Sequence, residues 1–225
     1  FPANVYNYGT AIPETVTPLT PKLADTRKGK IREAMENRFR AAAREDGVKT
    51  IMVRCGDFFG GTGTGSWFDL AIAKKLASGV FTAPGPETMM HAWAYMPDVA
   101  QTFVKLADLH GSLDTWSDLL FEGHTVTLHQ MKEHLELIMG QNLKSSPLPW
   151  WLVRFVAPFN GMMRETLEMS YLWHRPHRLD GSELVSILGK VPRTPLREAL
   201  KSAVEAQGTS TGKPLVSKPS ELAIG

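Results

Sequence analysis

Short apolar strands alternate with longer helices along this chain, and this alternation limits the folds that the chain can adopt. Residues 27–46 place apolar side chains at intervals of three and four, separated by charged ones, which predicts an amphipathic helix. The apolar run "TIMVR" (50–54) follows it and predicts a short strand that is buried on both faces. A long helix between short apolar strands predicts a parallel sheet covered by helices, and therefore an α/β fold.

Two later segments continue the alternation. "HAWAYMPDVAQTFVKLAD" (91–108) predicts a short aromatic strand and then a helix from about Pro97, because the fixed φ of proline suits the first helical turn. Thr127 and Gln130 have the spacing of a helix-capping pair, and Gly140 is a candidate for the end of that helix. Both segments support the α/β prediction.

Charge and cysteine content exclude several classes of protein. The chain has 25 Lys and Arg against 23 Asp and Glu, and the basic residues are scattered, so neither nucleic acid nor a membrane surface is an expected partner. The single cysteine, Cys55, excludes an intrachain disulfide and fits a reducing compartment, so a cytoplasmic location is expected. No apolar stretch approaches the roughly 18 residues of a membrane span.

The opening "FPANVYNYG" is typical of the end of a buried strand, so we expect further sequence upstream.

Several motifs, taken in order, resemble one enzyme family. "NVYNYG", "TRKGKIR", "VRCGDFFGG", "HAWAYMPDVAQTFVKLAD" and "RLDGSELVSILGK" are similar to the motifs of extended short-chain dehydrogenases/reductases, the NAD-dependent epimerase/dehydratase-like proteins. The resemblance covers roughly residues 3–206 and implies NAD or NADP as the cofactor. The family's glycine-rich pyrophosphate-binding turn has no counterpart in this chain. "GGTGTG" (60–65) comes too late in the fold for that role and is expected to be a substrate-facing loop.

The resemblance also implies a domain organisation. We expect residues 1–145 to be the C-terminal part of a Rossmann-like parallel sheet, interleaved with segments of a substrate domain. Residues 146–206 are expected to be a small, mostly helical part of that substrate domain, and residues 207–225, rich in Gly, Ser, Lys and Pro, a flexible tail.

The family's catalytic pattern is matched only in part. In the family a tyrosine is the general acid/base, and a lysine four residues later lowers its pKa and holds the nicotinamide ribose. Lys30 matches that lysine, but Thr26 stands at the position of the tyrosine, and the family's serine is not matched either. A phenol has a pKa of about 10 that a nearby ammonium can lower. An aliphatic hydroxyl is a poor proton relay without another base.

The usual redox step therefore lacks an obvious proton donor. Thr26 would need another base, and Tyr6 or Tyr8 is a substitute candidate, although the position of Tyr6 is normally structural in the family. Lys30 is a candidate for both the catalytic and the cofactor-binding site. The alternative for Lys30 is a solvated lysine on a helix surface.

Four other residues are candidates for the cofactor and substrate sites. Asp57 matches a position where an asparagine often contacts substrate, and it follows a buried strand, which places it at the binding edge of the sheet. Phe58 and Phe59 match hydrophobic positions beside the cofactor, and the alternative is that both belong to the core. His91 lies where nucleotide-sugar enzymes carry a phosphate-binding arginine. A histidine binds anions less strongly, so a UDP-sugar substrate is disfavoured. We expect Asp57 and His91 to line one crevice.

Three further features have simpler alternatives. Cys55 lacks a neighbouring histidine to activate it, so a small buried residue is preferred to a nucleophile. His129 and His134 do not share a helical face, and no metal site is predicted. The Trp- and Met-rich segment 149–173 is expected to cover an apolar ligand pocket rather than to lie on a membrane.

These observations lead to one functional prediction with two alternatives. The first is an NAD(P)-dependent oxidoreductase or epimerase-like protein that acts on a small organic ligand through an atypical active site. The second is a non-catalytic NAD(P)-binding regulator or scaffold. The third is a fragment without independent activity. A homodimer is possible in each case.

Overall fold

The structure combines parallel strands with helices, as the alternation in the sequence predicts. The computed structural model describes residues 1–61 and 65–210, and it confirms the α/β fold with parallel strands. The strands are β1 (Pro2–Ala3), β2 (Thr15–Val16), β3 (Thr50–Arg54), β4 (Asp57–Phe59), β5 (Val80–Ala83), β6 (Met90–Tyr95), β7 (Trp116–Leu120), β8 (His124–Thr127), β9 (Lys144–Pro147) and β10 (Arg178–Leu179).

Helices connect these strands. Short 3₁₀ or π turns lie at Tyr6–Tyr8, Phe68–Ile72, Ala73–Ser78 and Met169–His174. The α-helices are α1 (Arg27–Glu45), α2 (Met96–Asp108), α3 (Leu128–Met139), α4 (Trp150–Val156), α5 (Gly161–Glu168), α6 (Ser182–Leu188) and α7 (Leu196–Ser210). Helix α7 continues past residue 207, where the tail was expected to begin, and residues 211–225 lie outside the described part of the chain.

Two three-stranded sheets form the centre of the molecule. In the first, β3 lies between β1 and β7 and pairs in parallel with both. In the second, β6 lies between β4, which is parallel to it, and β8, which is antiparallel. Because only two residues separate the end of β3 from the start of β4, the chain passes directly from one sheet to the other. This crossing places Asp57 at the junction of the two sheets.

Gly56 makes this crossing possible. A Cβ atom on Gly56 would lie 2.1 Å from the carbonyl oxygen of Ala92, well inside van der Waals contact. Only glycine lets the backbone before Asp57 run so close to β6. Asp57 then pairs with Trp93, and His91 lies two residues earlier on β6, on the same face as Trp93.

Helix α1 begins and ends close to the predicted residues but buries a different face. Its buried residues include Glu36, whereas Ile31 and Phe39 of the apolar stripe remain 57% and 36% exposed. Glu36 lies against the sheet because its carboxylate accepts two hydrogen bonds from the Arg54 guanidinium, at 3.0 Å each. A buried ion pair, and not the apolar stripe, therefore sets the orientation of α1.

The hydrophobic core lies mainly around β6. A cluster of fully buried side chains joins Phe59, Phe81 and Trp93 to Trp173 and to α7. The Trp- and Met-rich segment 149–173 forms α4, α5 and most of the turn at Met169–His174, with breaks near Pro158 and before Gly161. Within the described residues, no helix is both long and apolar enough to cross a membrane.

Candidate active site at the ends of strands β4 and β6

Asp57 and His91 form a buried hydrogen-bonded pair. The Nε2 atom of His91 lies 2.8 Å from Oδ2 of Asp57, and the two residues are 2% and 9% exposed. The contact follows from strand register, since Asp57 opens β4 opposite Trp93 and His91 occupies the adjacent position on the same face of β6. The structure therefore brings together the two residues that the sequence assigns to one crevice.

Aromatic rings enclose the His91 imidazole. The ring of Trp173 stacks on it, with centroids 4.3 Å apart and planes 5° from parallel. Trp93 lies against it at 5.0 Å, and the ring of His177 meets it edge-on at 4.5 Å. Trp173 is the contribution of the Trp- and Met-rich segment, which thus covers the pair from the side of the C-terminal helices.

His177 is a neutral neighbour of this pair. Burial, and then the proximity of His91, lowers the pKa of His177 to about 4. Its Nδ1 lies 3.0 Å from the carbonyl oxygen of Arg175, and a carbonyl can only accept, so Nδ1 carries the proton. The Nε2 atom of His177 is then a buried acceptor, and it has no partner among the described residues.

Other polar atoms around the pair also lack partners. The hydroxyl of Tyr171 and the indole N–H groups of Trp93 and Trp173 are buried, and the described residues offer them no hydrogen bond. Buried polar groups in folded proteins are nearly always satisfied by protein, water or ligand. The unsatisfied atoms beside Asp57 and His91 are therefore positions at which water or a bound ligand would make hydrogen bonds.

Tyr6 and Tyr171 are held in the protonated form. Burial, reinforced by the negative charge of Asp57, raises the pKa of the Tyr6 hydroxyl. Burial, reinforced by Asp25 and Asp57, raises the pKa of Tyr171 in the same direction. A phenol with a raised pKa can donate a hydrogen bond to a carbonyl but is a poor source of phenolate base near neutral pH.

The Thr26 hydroxyl is occupied by a structural contact. Thr26 is the N-cap of α1, and its Oγ1 accepts a hydrogen bond from the Gly29 amide at 3.0 Å. This contact satisfies one of the free N–H groups of the first turn.

We expect Thr26→Ala to lower the free energy of unfolding by about 1 kcal/mol, because the first turn of α1 loses its cap. Thr26→Ser keeps the cap oxygen and serves as the matched control. Urea denaturation of the three proteins measures the difference. Equal stability of the alanine and serine variants would show that the cap contributes nothing.

Lys30 has the freedom that a ribose contact requires. It is exposed on the first turn of α1, and no described carboxylate lies within salt-bridge distance of its ammonium group. Its side-chain donors are therefore free to reach ribose hydroxyls. Lys30 thus fits a contact with the ribose of a dinucleotide. The chain has no counterpart of the turn that would bind the pyrophosphate.

Phe58 and Phe59 have different surroundings. Phe59 is fully buried and packs on Phe68 and Tyr95, with ring centroids 5.8 and 5.3 Å away. Phe58 is partly exposed and packs against the buried cluster that includes Val53 and Leu184. The structure favours the core alternative for Phe59 and leaves Phe58 nearer to the surface. Of the loop "GGTGTG", residues 62–64 lie outside the described part.

The simpler interpretation of Cys55 agrees with the structure. Cys55 is fully buried, and burial raises the pKa of its thiol to about 12, so a nucleophilic role is disfavoured. Across residues 1–61 and 65–210, no three His, Cys, Asp or Glu side chains are grouped as metal ligands.

A cleft of about 460 Å³ lies on another side of the molecule, beside Lys22, Glu36 and Asp118, and none of the predicted site residues lines it. The carboxylates there are neutralised by Arg54 and Lys22. That cleft belongs to a structural ion-pair network.

Sequence reasoning did not identify Tyr171 and His177 as site residues. Both come from the segment between α5 and β10, far along the chain from Asp57. The available signal was the density of aromatic and histidine residues in "SYLWHRPH" (170–177). The first part of this run belongs to the segment that was expected to cover an apolar ligand pocket.

Comparisons with known proteins agree on the fold. No protein-family model matches the sequence, and no curated protein sequence matches it. The structure is similar to UDP-glucuronic acid 4-epimerase from Bacillus cereus, solved with UDP-glucuronic acid and NAD (TM-score 0.70, 14% identity, 93% of this chain and 60% of that chain). It is also similar to L-threonine 3-dehydrogenase from Trypanosoma brucei (TM-score 0.72, 16% identity, 95% and 63%).

A third similar structure is dTDP-glucose 4,6-dehydratase from Streptomyces venezuelae, solved with NAD (TM-score 0.67, 15% identity, 94% of this chain and 60% of that chain). The chain thus spans about three fifths of the length of each solved structure that it matches.

Proposed function

We propose, from the Rossmann-like fold that this chain shares with NAD-dependent epimerases, dehydratases and dehydrogenases, that it belongs to an NAD(P)-dependent oxidoreductase or epimerase-like protein that acts on a small organic substrate. The observation that carries the proposal is the buried Asp57–His91 pair, in which Asp57 lies three residues beyond the carboxyl end of β3. In open α/β sheets, ligands bind at the carboxyl ends of parallel strands. The pair has the position and the polarity of a substrate-binding site.

The residues of this chain would hold only part of the cofactor. Lys30 would donate hydrogen bonds to the nicotinamide ribose, and Phe58 would lie beside the nicotinamide. Bound NAD(P) would supply a hydride acceptor or donor at this end of the sheet. The adenine and pyrophosphate contacts would come from sequence outside this chain.

The walls of the site favour a substrate with an apolar part. Trp93 and Trp173 flank His91, and a histidine replaces the arginine that would bind a diphosphate strongly. A small hydroxy or keto compound with an apolar group fits these surroundings better than a nucleotide sugar. This chain spans 60% of the length of the similar epimerase, and the other walls of the pocket would come from outside that span.

We expect Lys30→Ala to weaken NAD(P)H binding by about tenfold, because a charge-assisted hydrogen bond to the ribose is lost. Lys28→Ala is the matched control, since Lys28 lies on the same turn but pairs with Glu165 at 3.2 Å. Titration calorimetry of the full-length protein measures both. Equal affinity in wild type and Lys30→Ala would remove Lys30 from the cofactor site.

A second candidate function is a non-catalytic NAD(P)-binding regulator. This function is favoured because the Thr26 hydroxyl is engaged in capping α1. The residue at the position of the family's tyrosine is then not available to exchange a proton. A screen of small secondary alcohols with NAD(P)⁺, and of the matching ketones with NAD(P)H, separates the two. Cofactor binding together with turnover supports the oxidoreductase, and cofactor binding without turnover supports the regulator.

A further inference from the structure

The hydrogen bond to Asp57 fixes which nitrogen of His91 carries a proton. An ionised carboxylate can only accept, so Nε2 of neutral His91 must hold the hydrogen that lies in the 2.8 Å contact. The other nitrogen, Nδ1, then has a free lone pair. No described residue makes a hydrogen bond to that atom.

The imidazole ring is also held in one orientation. Trp173 covers one face at 4.3 Å, Trp93 lies against the ring at 5.0 Å, and His177 meets it edge-on. Rings packed in this way cannot turn without displacing their neighbours. The lone pair of Nδ1 therefore points in a fixed direction, as a base needs before it meets its substrate.

The charges around His91 suit a proton acceptor. Asp57 faces it from β4, and the imidazolium formed on protonation would be stabilised by this carboxylate. His177 faces it from the segment before β10 and remains neutral because burial lowers its pKa to about 4, so no second positive charge opposes protonation. Tyr6 and Tyr171 face Asp57 from two other elements as neutral phenols.

The other groups that could exchange a proton are occupied or unsuited. The Thr26 hydroxyl caps α1. The raised pKa values of Tyr6 and Tyr171 keep both protonated near neutral pH, so neither replaces the phenolate of the resembled family. His91 combines a free basic atom with an oriented ring, and the free nitrogen of His177 is the weaker base because burial lowers its pKa to about 4.

We propose that His91 is the catalytic base of this site and that Asp57 is its positioning residue; this inference rests on the proposed oxidoreductase function. Nδ1 takes the proton of the substrate hydroxyl while the C–H bond on the same carbon breaks. Bound NAD(P)⁺ would supply the acceptor for the electron pair of that bond, as hydride, and the C–O bond would become a carbonyl. In the reverse direction His91 returns the proton to the carbonyl oxygen.

The kinetic test uses the alcohol or ketone with the fastest turnover in the screen described above. His91→Gln in the full-length protein is expected to lower kcat by about 10²–10⁴-fold, the usual contribution of a general base. The affinity for NAD(P)H, measured by calorimetry, is expected to stay unchanged. His129→Gln is the matched control, because the His129 side chain is 60% accessible and pairs with Glu133 rather than with Asp57 or His91, and it should leave kcat unchanged.

The positioning role of Asp57 has its own readout. In Asp57→Asn the neutral amide no longer fixes the tautomer, so the pH profile of kcat should shift, and Asp57→Glu should recover part of the activity. Nitrogen-15 NMR of histidine-labelled protein without substrate should show His91 protonated at Nε2 and bare at Nδ1 in wild type. Asp57→Asn should show a mixture of both tautomers. If Asp57 had only a structural role, Asp57→Asn would leave the tautomer of His91 unchanged.

The outcomes separate this inference from the function on which it rests. Wild-type turnover that His91→Gln retains within about threefold, or a wild-type His91 protonated at Nδ1, overturns the catalytic role and leaves the oxidoreductase proposal standing. Absence of both NAD(P)H binding and turnover in wild type overturns both. If His91→Gln unfolds, shown by loss of near-ultraviolet circular dichroism, His91→Asn and the NMR measurement decide the question.

Discussion

Replacing Arg54 with alanine is expected to lower the free energy of unfolding by about 3–5 kcal/mol, enough to unfold much of the protein at 37 °C. Arg54 is fully buried at the end of β3, and its guanidinium makes a bidentate pair with Glu36 at 3.0 Å. It also donates to both carboxylate oxygens of Asp118, at 3.1 and 3.0 Å. Removal of the guanidinium leaves buried carboxylates with Lys22 as their remaining cation.

Chemical or thermal denaturation measures this loss. Arg44→Ala is the control, since Arg44 is exposed and its change should stay within about 0.5 kcal/mol. The double variant Arg54→Met with Glu36→Leu should recover much of the stability, because both buried charges leave together. If Arg54→Ala cost no more than Arg44→Ala, the network would not stabilise the fold.

The same network gives stability a dependence on pH. Burial raises the pKa of Asp118, but the charges of Arg54 and Lys22 outweigh this and hold that pKa below its ordinary value. A carboxyl with a lowered folded pKa contributes stability that is present above its unfolded pKa of about 4 and is lost as the pH falls through the folded value. Wild type should lose this contribution on acidification below about pH 4.

Phe59→Ala is expected to lower the free energy of unfolding by about 3–5 kcal/mol, because a fully buried ring is removed from a packed cluster. Its ring packs on Phe68, Trp93 and Tyr95 at centroid distances of 5.8, 6.3 and 5.3 Å. Phe58→Ala is the matched control, and it should cost about 1–2 kcal/mol because its ring is already partly exposed.

Calorimetric titration with NAD(P)H separates packing from cofactor contact. The folded fraction of Phe59→Ala should bind with wild-type affinity, whereas Phe58→Ala should bind more weakly if its ring flanks the nicotinamide. A Phe59→Ala protein that kept its stability but lost NAD(P)H binding would restore Phe59 to the cofactor site and contradict its place in the core.

The elements of the fold could be predicted from local sequence. The strand at 50–54 has the predicted bounds, and α1 ends one residue before the predicted 46. Thr127 and Gln130 form both hydrogen bonds of the predicted cap. These features depend on contacts within a few residues, which is why a sequence pattern contains them.

The orientation of α1 could not be predicted in this way. Its apolar stripe favours a buried face that includes Ile31 and Phe39, but Glu36 faces the sheet. The reason is Arg54, which lies 18 residues from Glu36 and 64 from Asp118 along the chain. A buried charge needs its partners, and only the packed structure brings these partners together.

The sequence alone predicts the class of fold and the edge of the sheet at which Asp57 lies, because both follow from strand order and from the period of apolar residues. The place of His91 beside Asp57 was expected from the family resemblance. Only the tertiary structure decided that the two side chains share a hydrogen bond, that Trp173 stacks on His91, and that His177 faces it. The register of β4 on β6 sets the first contact. The packing of a segment more than 80 residues further along the chain sets the others, and no local pattern encodes a distance between side chains so far apart in sequence.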